Sequence, residues 1–339
     1  MLVVDDTKMN LTVMRGLLKE TKIHLDEAES GQECLALTEK TKYDVILLDH
    51  RMPGMDGVET LAALRAQADG KNVETPVICL TANAISGARE WYLAQGFNDY
   101  LTKPVSGKQL EAMLLKNLPP ELVSMTCDHN HQDDDNDKGS EKEELPAWLS
   151  EIHHLDTKTG LQYCGSTEDY LAALRIFRES VAENTATIEG FFEAKDWQNY
   201  TTKVHALKSS ARLIGAAELS ERAARLEDAG NRRYIEEIEK DTPTLLALYH
   251  TCGEALAPLD AAEEKEQDDL PEIDSASLHE AYAAISEMAS SFDYDSIQFV
   301  LAELAKNRVP DDEAERYARL VEAAKKPDWD ALKQVLAEA

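Results

Sequence analysis

Apolar positions along this chain fall into two regimes. Through residues 1–118 they come in short runs, Leu2–Val4, Val45–Leu48 and Val77–Leu80, rich in branched side chains and separated by stretches with helical spacing. Such runs predict buried strands of a parallel sheet covered on both faces. Further strands are expected near Ile23–Leu25 and at Tyr100–Thr102. Five strand–helix units in this length predict a doubly wound α/β domain with a five-stranded parallel sheet.

From 146 to 258 the strand signals vanish. Leu171–Phe192 and Val204–Leu226 carry apolar residues at three- and four-residue steps, with Val204, Leu207, Ala211 and Ile214 on one stripe. Gly230 and Asn231 read as a turn between helices. Long helices with short connections predict an antiparallel bundle. A last helical segment occupies 275–339. Two acidic stretches separate the regimes. Asp128–Glu144 holds eight acidic residues and two lysines, and Asp260–Asp274 holds eight and one. Without apolar periodicity, 119–145 and 259–274 are expected to be solvated linkers.

At 339 residues, 43% of them hydrophobic, the chain has material for two or three domains with real cores. A formal net charge of −30 argues against nucleic acid as a partner, because phosphate contacts need a basic surface. No apolar run is long enough to span a membrane, and the start lacks the pattern of a signal peptide. Five widely spaced cysteines, Cys34, Cys79, Cys127, Cys164 and Cys252, suit reduced thiols in a cytoplasm. The run Cys127-Asp-His-Asn-His131 matches no well-defined metal spacing. His153 and His154 precede the bundle with no partner pattern and read as surface residues.

The chemistry gathers at strand ends. In a doubly wound sheet the functional crevice lies outside the carboxyl ends of the strands, where the strand order reverses. The first strand ends in Asp5-Asp6 and the third in Asp49, which puts three carboxylates side by side. Such a cluster repels itself unless a cation joins it, and hard oxygen donors with open positions suit Mg²⁺. The fourth strand ends in Thr81 and the fifth leads into Lys103, a hydroxyl and an ammonium suited to phosphoryl oxygens.

Together these residues closely resemble the receiver domain of response regulators. The resemblance is carried by Met1-Leu-Val-Val-Asp-Asp6, Asp44-Val-Ile-Leu-Leu-Asp49-His-Arg-Met-Pro-Gly-Met-Asp-Gly57, Leu80-Thr-Ala-Asn83 and Tyr100-Leu-Thr-Lys-Pro104. It implies a flavodoxin-like fold with Asp49 as phosphoacceptor. Asp6, Asp49 and the backbone carbonyl of Arg51 would ligate Mg²⁺, with Asp5 helping through water. Lys103 would pair with the acyl phosphate, and Thr81 and Tyr100 would form the switch pair. Receivers usually begin a few residues before this chain does, so a piece of a longer protein is expected.

On the helical side, Lys203-Val-His205-Ala-Leu-Lys208-Ser-Ser-Ala-Arg212 places His205, Lys208, Ser209 and Arg212 on one helix face, away from the apolar stripe. His205 is therefore expected to face solvent, with small Ser209 leaving room beside it and Lys208 supplying positive charge. With Leu155–Gly165 and Asp196-Trp197, this segment resembles a histidine-containing phosphotransfer domain, a four-helix bundle. Many members carry glycine where Ser209 stands. The resemblance implies His205 as phosphocarrier through Nε2, aided by Lys208.

In the last segment Glu315-Arg-Tyr-Ala-Arg-Leu320 and Ala323 echo Glu221-Arg-Ala-Ala-Arg-Leu226 and Ala229, and Phe292-Asp-Tyr294 echoes Asp196-Trp197. The position equivalent to His205 falls on Ala302. The expectation is a degenerate phosphotransfer-like bundle without its histidine.

The order of receiver and phosphotransfer bundle resembles the C-terminal part of a hybrid sensor histidine kinase. It implies a relay: an upstream sensor kinase loads Asp49, His205 carries the group, and a separate receiver takes it. No asparagine-rich box or glycine-rich lid for ATP is present, so autophosphorylation is not expected. The site would be cytoplasmic, in its own right or as the cytoplasmic part of a membrane sensor. Two alternatives stand beside the relay: a phosphorylation-switched interaction protein, and a phosphate sink.

Overall fold

A computed structural model describes residues 1–19, 21–67, 70–82, 88–123, 145–260, 270–291, 294–310, 312–325 and 329–336. The Cys127–His131 run, the acidic stretch 128–144, Asn83, Phe292, Asp293 and residues 261–269 of the second joint lie outside the described residues. Contacts divide the chain into two compact units, Met1–Leu256 and Ala257–Ala339.

In the first unit, strands β1 (Leu2–Val4), β2 (Asp26–Ala28), β3 (Ile46–Asp49), β4 (Val77–Thr81) and β5 (Asp99–Thr102) alternate with helices. These are α1 (Lys8–Leu18), α2 (Gly31–Lys40), α3 (Gly57–Arg65), α4 (Ala88–Ala94) and α5 (Gly107–Asn117). All strand pairs are parallel, in the order β2-β1-β3-β4-β5, so the strand order reverses between β1 and β3. The period of two sorts the apolar runs onto two faces. Leu2, Val4, Ile46, Leu48, Val77 and Cys79 pack with Cys34, Leu61 and Leu64 on the α2–α4 side. Val3, Leu47, Ile78 and Leu80 pack with Leu11, Met14, Leu110 and Leu114 on the α1 and α5 side. Each such fully buried aliphatic side chain contributes about 1.5–3 kcal/mol.

The second strand forms three residues later than the apolar cue suggested, at Asp26–Ala28 rather than Ile23–Leu25. It is an edge strand, so its exposed Asp26 and half-buried Glu27 carry no apolar signal, whereas Ile23 and Leu25 pack half-buried under the sheet on the way in. Asp56, in the turn after Asp49, serves as N-cap: its side chain accepts from Glu59 N, and Glu59 reaches back to the cap amide.

The helical part begins with α6 (Thr157–Cys164), followed by α7 (Thr167–Glu193), α8 (Trp197–Leu213), α9 (Ala217–Arg232) and α10 (Ile235–Ala255). Helix α7 packs on α8, α8 on α9, α9 on α10, and α10 returns to α7, a closed ring of four. Two turns differ from the sequence reading. The periodic stretch Val204–Leu226 is broken at Gly215, whose φ of +85° is open to glycine and whose added Cβ would lie 2.2 Å from the Asp156 carbonyl oxygen. Gly230 and Asn231 instead lie inside α9, which ends at Arg233 in the left-handed conformation. Gly230 is there for contact: a Cβ would sit 2.0 Å from Thr201 Oγ1, so α8 and α9 approach too closely for any larger residue. Cys34, Cys79, Cys164 and Cys252 are free thiols in the core.

In the second unit, α11 (Ser275–Ser291), α12 (Tyr294–Leu304), α13 (Ala314–Lys325) and α14 (Trp329–Leu336) surround a core that includes Leu278, Ile285, Ile297, Leu301, Leu320 and Leu332. They too form a ring, α11 on α12, α12 on α13, α13 on α14 and α14 on α11. Among the described residues no helix is long and apolar enough to cross a membrane.

Candidate functional site: an acidic cleft facing a buried histidine

The ends of β1 and β3 bring Asp5, Asp6 and Asp49 together, with one oxygen of each within 4.8 Å of the others. Asp5 and Asp49 are buried and Asp6 half-buried. The loop after β5 inserts Lys103, whose Nζ lies 2.5 Å from Asp5 Oδ2 and 2.8 Å from Asp49 Oδ2. Asp5 Oδ1 is already committed, accepting from Thr7 N and Asn10 Nδ2. One ammonium against three carboxylates leaves the cleft negative. Burial lifts the Asp49 carboxyl to about 7, with Lys103 opposing the rise and Asp5 and Asp6 adding to it. Burial followed by the charge of Asp5 lifts Asp6 to about 6.

Asp49 Oδ1 is buried without a hydrogen-bond partner. A buried carboxylate oxygen left unmatched in a cluster short of positive charge fits a hard divalent cation, and Asp5, Asp6 and Asp49 are the side chains that would hold it.

Thr81, at the end of β4, is buried, and Tyr92 Oη donates to its Oγ1 at 2.8 Å. Tyr92 Oη also meets His50 Nδ1 at 3.0 Å, and its ring stacks on Tyr100 with centroids 6.0 Å apart. Tyr92 thus connects the expected pair Thr81 and Tyr100 to the residue after Asp49. Nothing in its helical sequence context marks it.

His205 sits in the middle of α8, and the expectation that it faces solvent is not met: the residue is only 5% exposed. Its helix face does turn away from the bundle core, where Val204, Leu207, Ala211 and Ile214 are buried. That face is nevertheless occupied. On one flank α9 presents Glu227, whose Oε1 lies 2.7 Å from His205 Nδ1 and whose Oε2 lies 2.5 Å from Lys208 Nζ. Ser209 turns its hydroxyl back onto the His205 carbonyl at 3.2 Å. On the open side stands the acidic cleft: Ser209 and Leu213 line one small cavity together with Asp5, Asn10 and Lys103. Lys203 of α8 is near enough for its charge to pull against the raised Asp6 carboxyl. The side chain of Arg51, two residues beyond Asp49, reaches Glu227 Oε1 at 3.5 Å and Asn231 Oδ1 at 3.3 Å. His153 and His154 are exposed, and His154 Nδ1 lies 3.5 Å from Glu218 Oε2 on α9.

Burial pushes the His205 imidazole below its ordinary range, and Glu227 only partly restores it. Burial works against an ionised Glu227 as well, but the contacts with His205 and Lys208 outweigh it and hold that carboxyl down at about 2. A neutral imidazole therefore faces a carboxylate. A carboxylate only accepts, so Nδ1 must carry the proton and Nε2 the lone pair. Sequence reasoning missed Glu227, Asn231 and the side chain of Arg51, because their meeting depends on how two helices and two domains pack.

Comparison with known proteins identifies the two domains. Residues 1–115 match the model of the response regulator receiver domain, and residues 172–257 match that of the Hpt domain. The chain is 27% identical over 258 residues to sensor histidine kinase GacS of Pseudomonas protegens, covering 74% of this chain and 27% of that one. To the signal transduction histidine-protein kinase BarA of Escherichia coli it is 33% identical over 121 residues, 36% of this chain and 13% of that one. The chain thus spans little more than a quarter of the first relative and less of the second. Among solved structures, the receiver domain of sensor histidine kinase PA1611 from Pseudomonas aeruginosa, with a magnesium ion coordinated in its active-site cleft, is 35% identical. That match covers 34% of this chain and 93% of the other, with a TM-score of 0.32. The chain joins a response regulator receiver domain to an Hpt domain, the pairing of a two-component phosphorelay signalling protein.

Proposed function

We propose that Asp49 accepts a phosphoryl group from the phosphohistidine of an upstream sensor kinase, that His205 receives it from Asp49, and that a separate response regulator receiver takes it onward. The observation that carries this reading is the juxtaposition of a carboxylate cleft and a tautomer-fixed imidazole within one compact unit. In the first transfer the P–N bond of the donor breaks and a carboxylate oxygen of Asp49 bonds phosphorus. In the second, the P–O bond breaks, Nε2 of His205 bonds phosphorus, and Asp49 regains its carboxylate. No proton has to leave Nε2, because the ring proton already sits on Nδ1 against Glu227. The cation that forms on the ring is matched by the Glu227 carboxylate.

Lys103 holds positive charge where phosphoryl oxygens gather, since phosphoryl transfer depends on positioning and neutralisation more than on covalent help. The Asp6 and Asp49 carboxylates and the Arg51 carbonyl would bind Mg²⁺, with Asp5 assisting through water. That ion would supply further neutralisation of the transferring group. Thr81 and Tyr100, linked through Tyr92, are suited to report a phosphoryl group on Asp49 as a switch pair. Lys208 keeps Glu227 ionised and adds positive charge one turn from His205.

The decisive experiment supplies the chain with a small phosphodonor or a phosphorylated kinase and follows label. Label on Asp49 that reaches a second receiver only when His205 is present supports the relay. Onward transfer unaffected by His205→Gln overturns it, in favour of a switched interaction protein. Label that stops at His205 with every receiver offered describes a phosphate sink.

For the C-terminal unit the same reading yields a histidine-less counterpart of the Hpt bundle. Its helices form the same kind of ring, and the echoed Glu-Arg-x-Ala-Arg-Leu falls on the third helix of each. The buried Leu301 and Leu304 correspond to Val204 and Leu207. His205, Lys208 and Glu227 correspond to Ala302, Ala305 and Val321, so the whole ionic triad has been replaced by apolar residues. Such a unit carries no phosphate and is suited to docking.

A further inference from the structure

Helix α1 of the receiver carries a glycine in its last turn, Gly16, where alanine would favour the helix by up to about 1 kcal/mol. The reason for the glycine lies in the other domain. A Cβ at position 16 would stand 2.6 Å from Cγ of Asp169, in the first turn of α7, and 2.7 and 2.9 Å from its carboxylate oxygens. That carboxylate is not free to swing aside, because the Ser166 hydroxyl donates to it at 2.5 Å while accepting from Asp169 N. Next along α1, Leu17 Cδ2 is within 3.3 Å of the Cβ position of Gly165, and Lys19 Nζ pairs with Glu168 Oε2 at 2.7 Å. At the far side of the contact Arg51 reaches Glu227 and Asn231 on α9. Between these two anchors the acidic cleft lies over α8, where His205, Lys208 and Ser209 are all buried. Charges match across the seam: Lys203 opposes the cleft, and Glu227 opposes Arg51.

We infer that the receiver of this chain docks on its own Hpt domain through α1 and Arg51, that the first transfer is intramolecular, and that this docked receiver closes His205 to any other receiver until it leaves. The inference rests on the relay proposed above. The face of α8 that a second receiver must reach is the face the first one covers, so loading of His205 and its onward discharge need two different arrangements of the same chain. Intramolecular docking sets an effective concentration of order millimolar. At a chain concentration of about 10 μM, transfer within the chain then exceeds transfer between chains by roughly 100-fold.

The test uses full-length chains and the wedge Gly16→Leu, which adds bulk at the seam and leaves every residue of the cleft in place. In an otherwise wild-type chain labelled on Asp49, movement of label to His205 should be independent of chain concentration, and Gly16→Leu should slow it at least tenfold. Between chains the sign reverses. A His205→Gln chain labelled on Asp49 is mixed with an Asp49→Ala chain, whose His205 lies under its own unreactive receiver. Adding Gly16→Leu to the Asp49→Ala chain should speed this transfer several-fold. A merely damaged fold would slow both reactions. The inference is overturned if wild-type transfer scales with chain concentration, or if the wedge leaves both rates alone or slows both. Failure of the relay itself shows differently, as absence of label from Asp49 in the His205→Gln chain or absence of phosphohistidine in the wild type.

Discussion

The two sites that face each other across α8 are built on opposite electrostatic plans. The receiver cleft crowds three carboxylates around a single lysine, with one buried oxygen of Asp49 unmatched and two carboxyls lifted to about 6 and about 7. The bundle site sets one carboxylate, Glu227, between a lysine and a histidine and leaves no charge over. The first keeps a buried carboxylate oxygen that a cation would match; the second is balanced by its own side chains. The difference suits their proposed tasks. On the proposed relay, an acyl phosphate would form where carboxylates have been brought together at an electrostatic cost, and a phosphoramidate where a neutral ring is simply held in one tautomer.

The widest separation should come from the phosphate-bearing residues. Asp49→Asn is expected to abolish all label, whereas His205→Gln should leave the aspartyl label and abolish the phosphohistidine, each read by chemical stability of the label. Cation removal comes next. Chelating divalent ions should lower the rate of Asp49 loading by about 100-fold or more, the scale of one lost electrostatic clamp. The same treatment should leave the His205 ring resonances unshifted in an NMR spectrum of the ring nitrogens. An equal response of the two sites would erase the contrast.

Glu227→Gln removes the carboxylate that orders the imidazole. Transfer to His205 should fall by roughly 10- to 100-fold, as for other lost partners that orient a histidine. The freed pair of tautomers should be visible in the same spectrum. Loading of Asp49 should not follow, because Glu227 belongs to the bundle. In wild type, the lowered His205 pKa fixes the sign of the pH response. The neutral ring is the nucleophile, so transfer should stay flat as pH falls from 8 to 6.5 and decline only below that. The unfolded chain binds a proton near pH 6.5 more readily than the folded one. The bundle should therefore lose stability on acidification below that point. A midpoint of transfer above 6.5 would contradict the buried neutral ring. The smallest effect expected is on folding. Gly230→Ala forces a methyl group against Thr201 and should cost about 1–3 kcal/mol, measured by denaturant unfolding, with Asp49 loading unchanged.

The receiver half was legible because its chemistry follows from topology. Once Leu2–Val4, Val45–Leu48 and Val77–Leu80 are strands, their ends must meet at the switch point, and Asp5, Asp6, Asp49, Thr81 and Lys103 come with them. The second strand was misplaced because an edge strand need not be apolar, as Asp26 and Glu27 illustrate. In the bundle the residue types were legible and the packing was not. Gly230 has the composition of a turn but serves a close helix contact, and Gly215, which does make the turn, is hidden inside an unbroken apolar period. His205 was correctly assigned to the face opposite the apolar stripe, yet periodicity within one helix cannot tell water from another domain. Glu227 meets His205 from 22 residues along the chain, Arg51 meets Glu227 from a different fold, and only tertiary structure brings them together.

The central claim is a path from Asp49 to His205, and a single-turnover time course tests it most directly. The chain is labelled briefly with a phosphodonor, the donor is removed, and label is partitioned by its stability to alkali and acid. Base-labile acyl phosphate should appear first and decay at the rate at which acid-labile, base-stable phosphohistidine rises, with neither species formed by the Asp49→Asn chain. Phosphohistidine formed at the wild-type rate in the Asp49→Asn chain would show that His205 is loaded without Asp49 and would contradict the account.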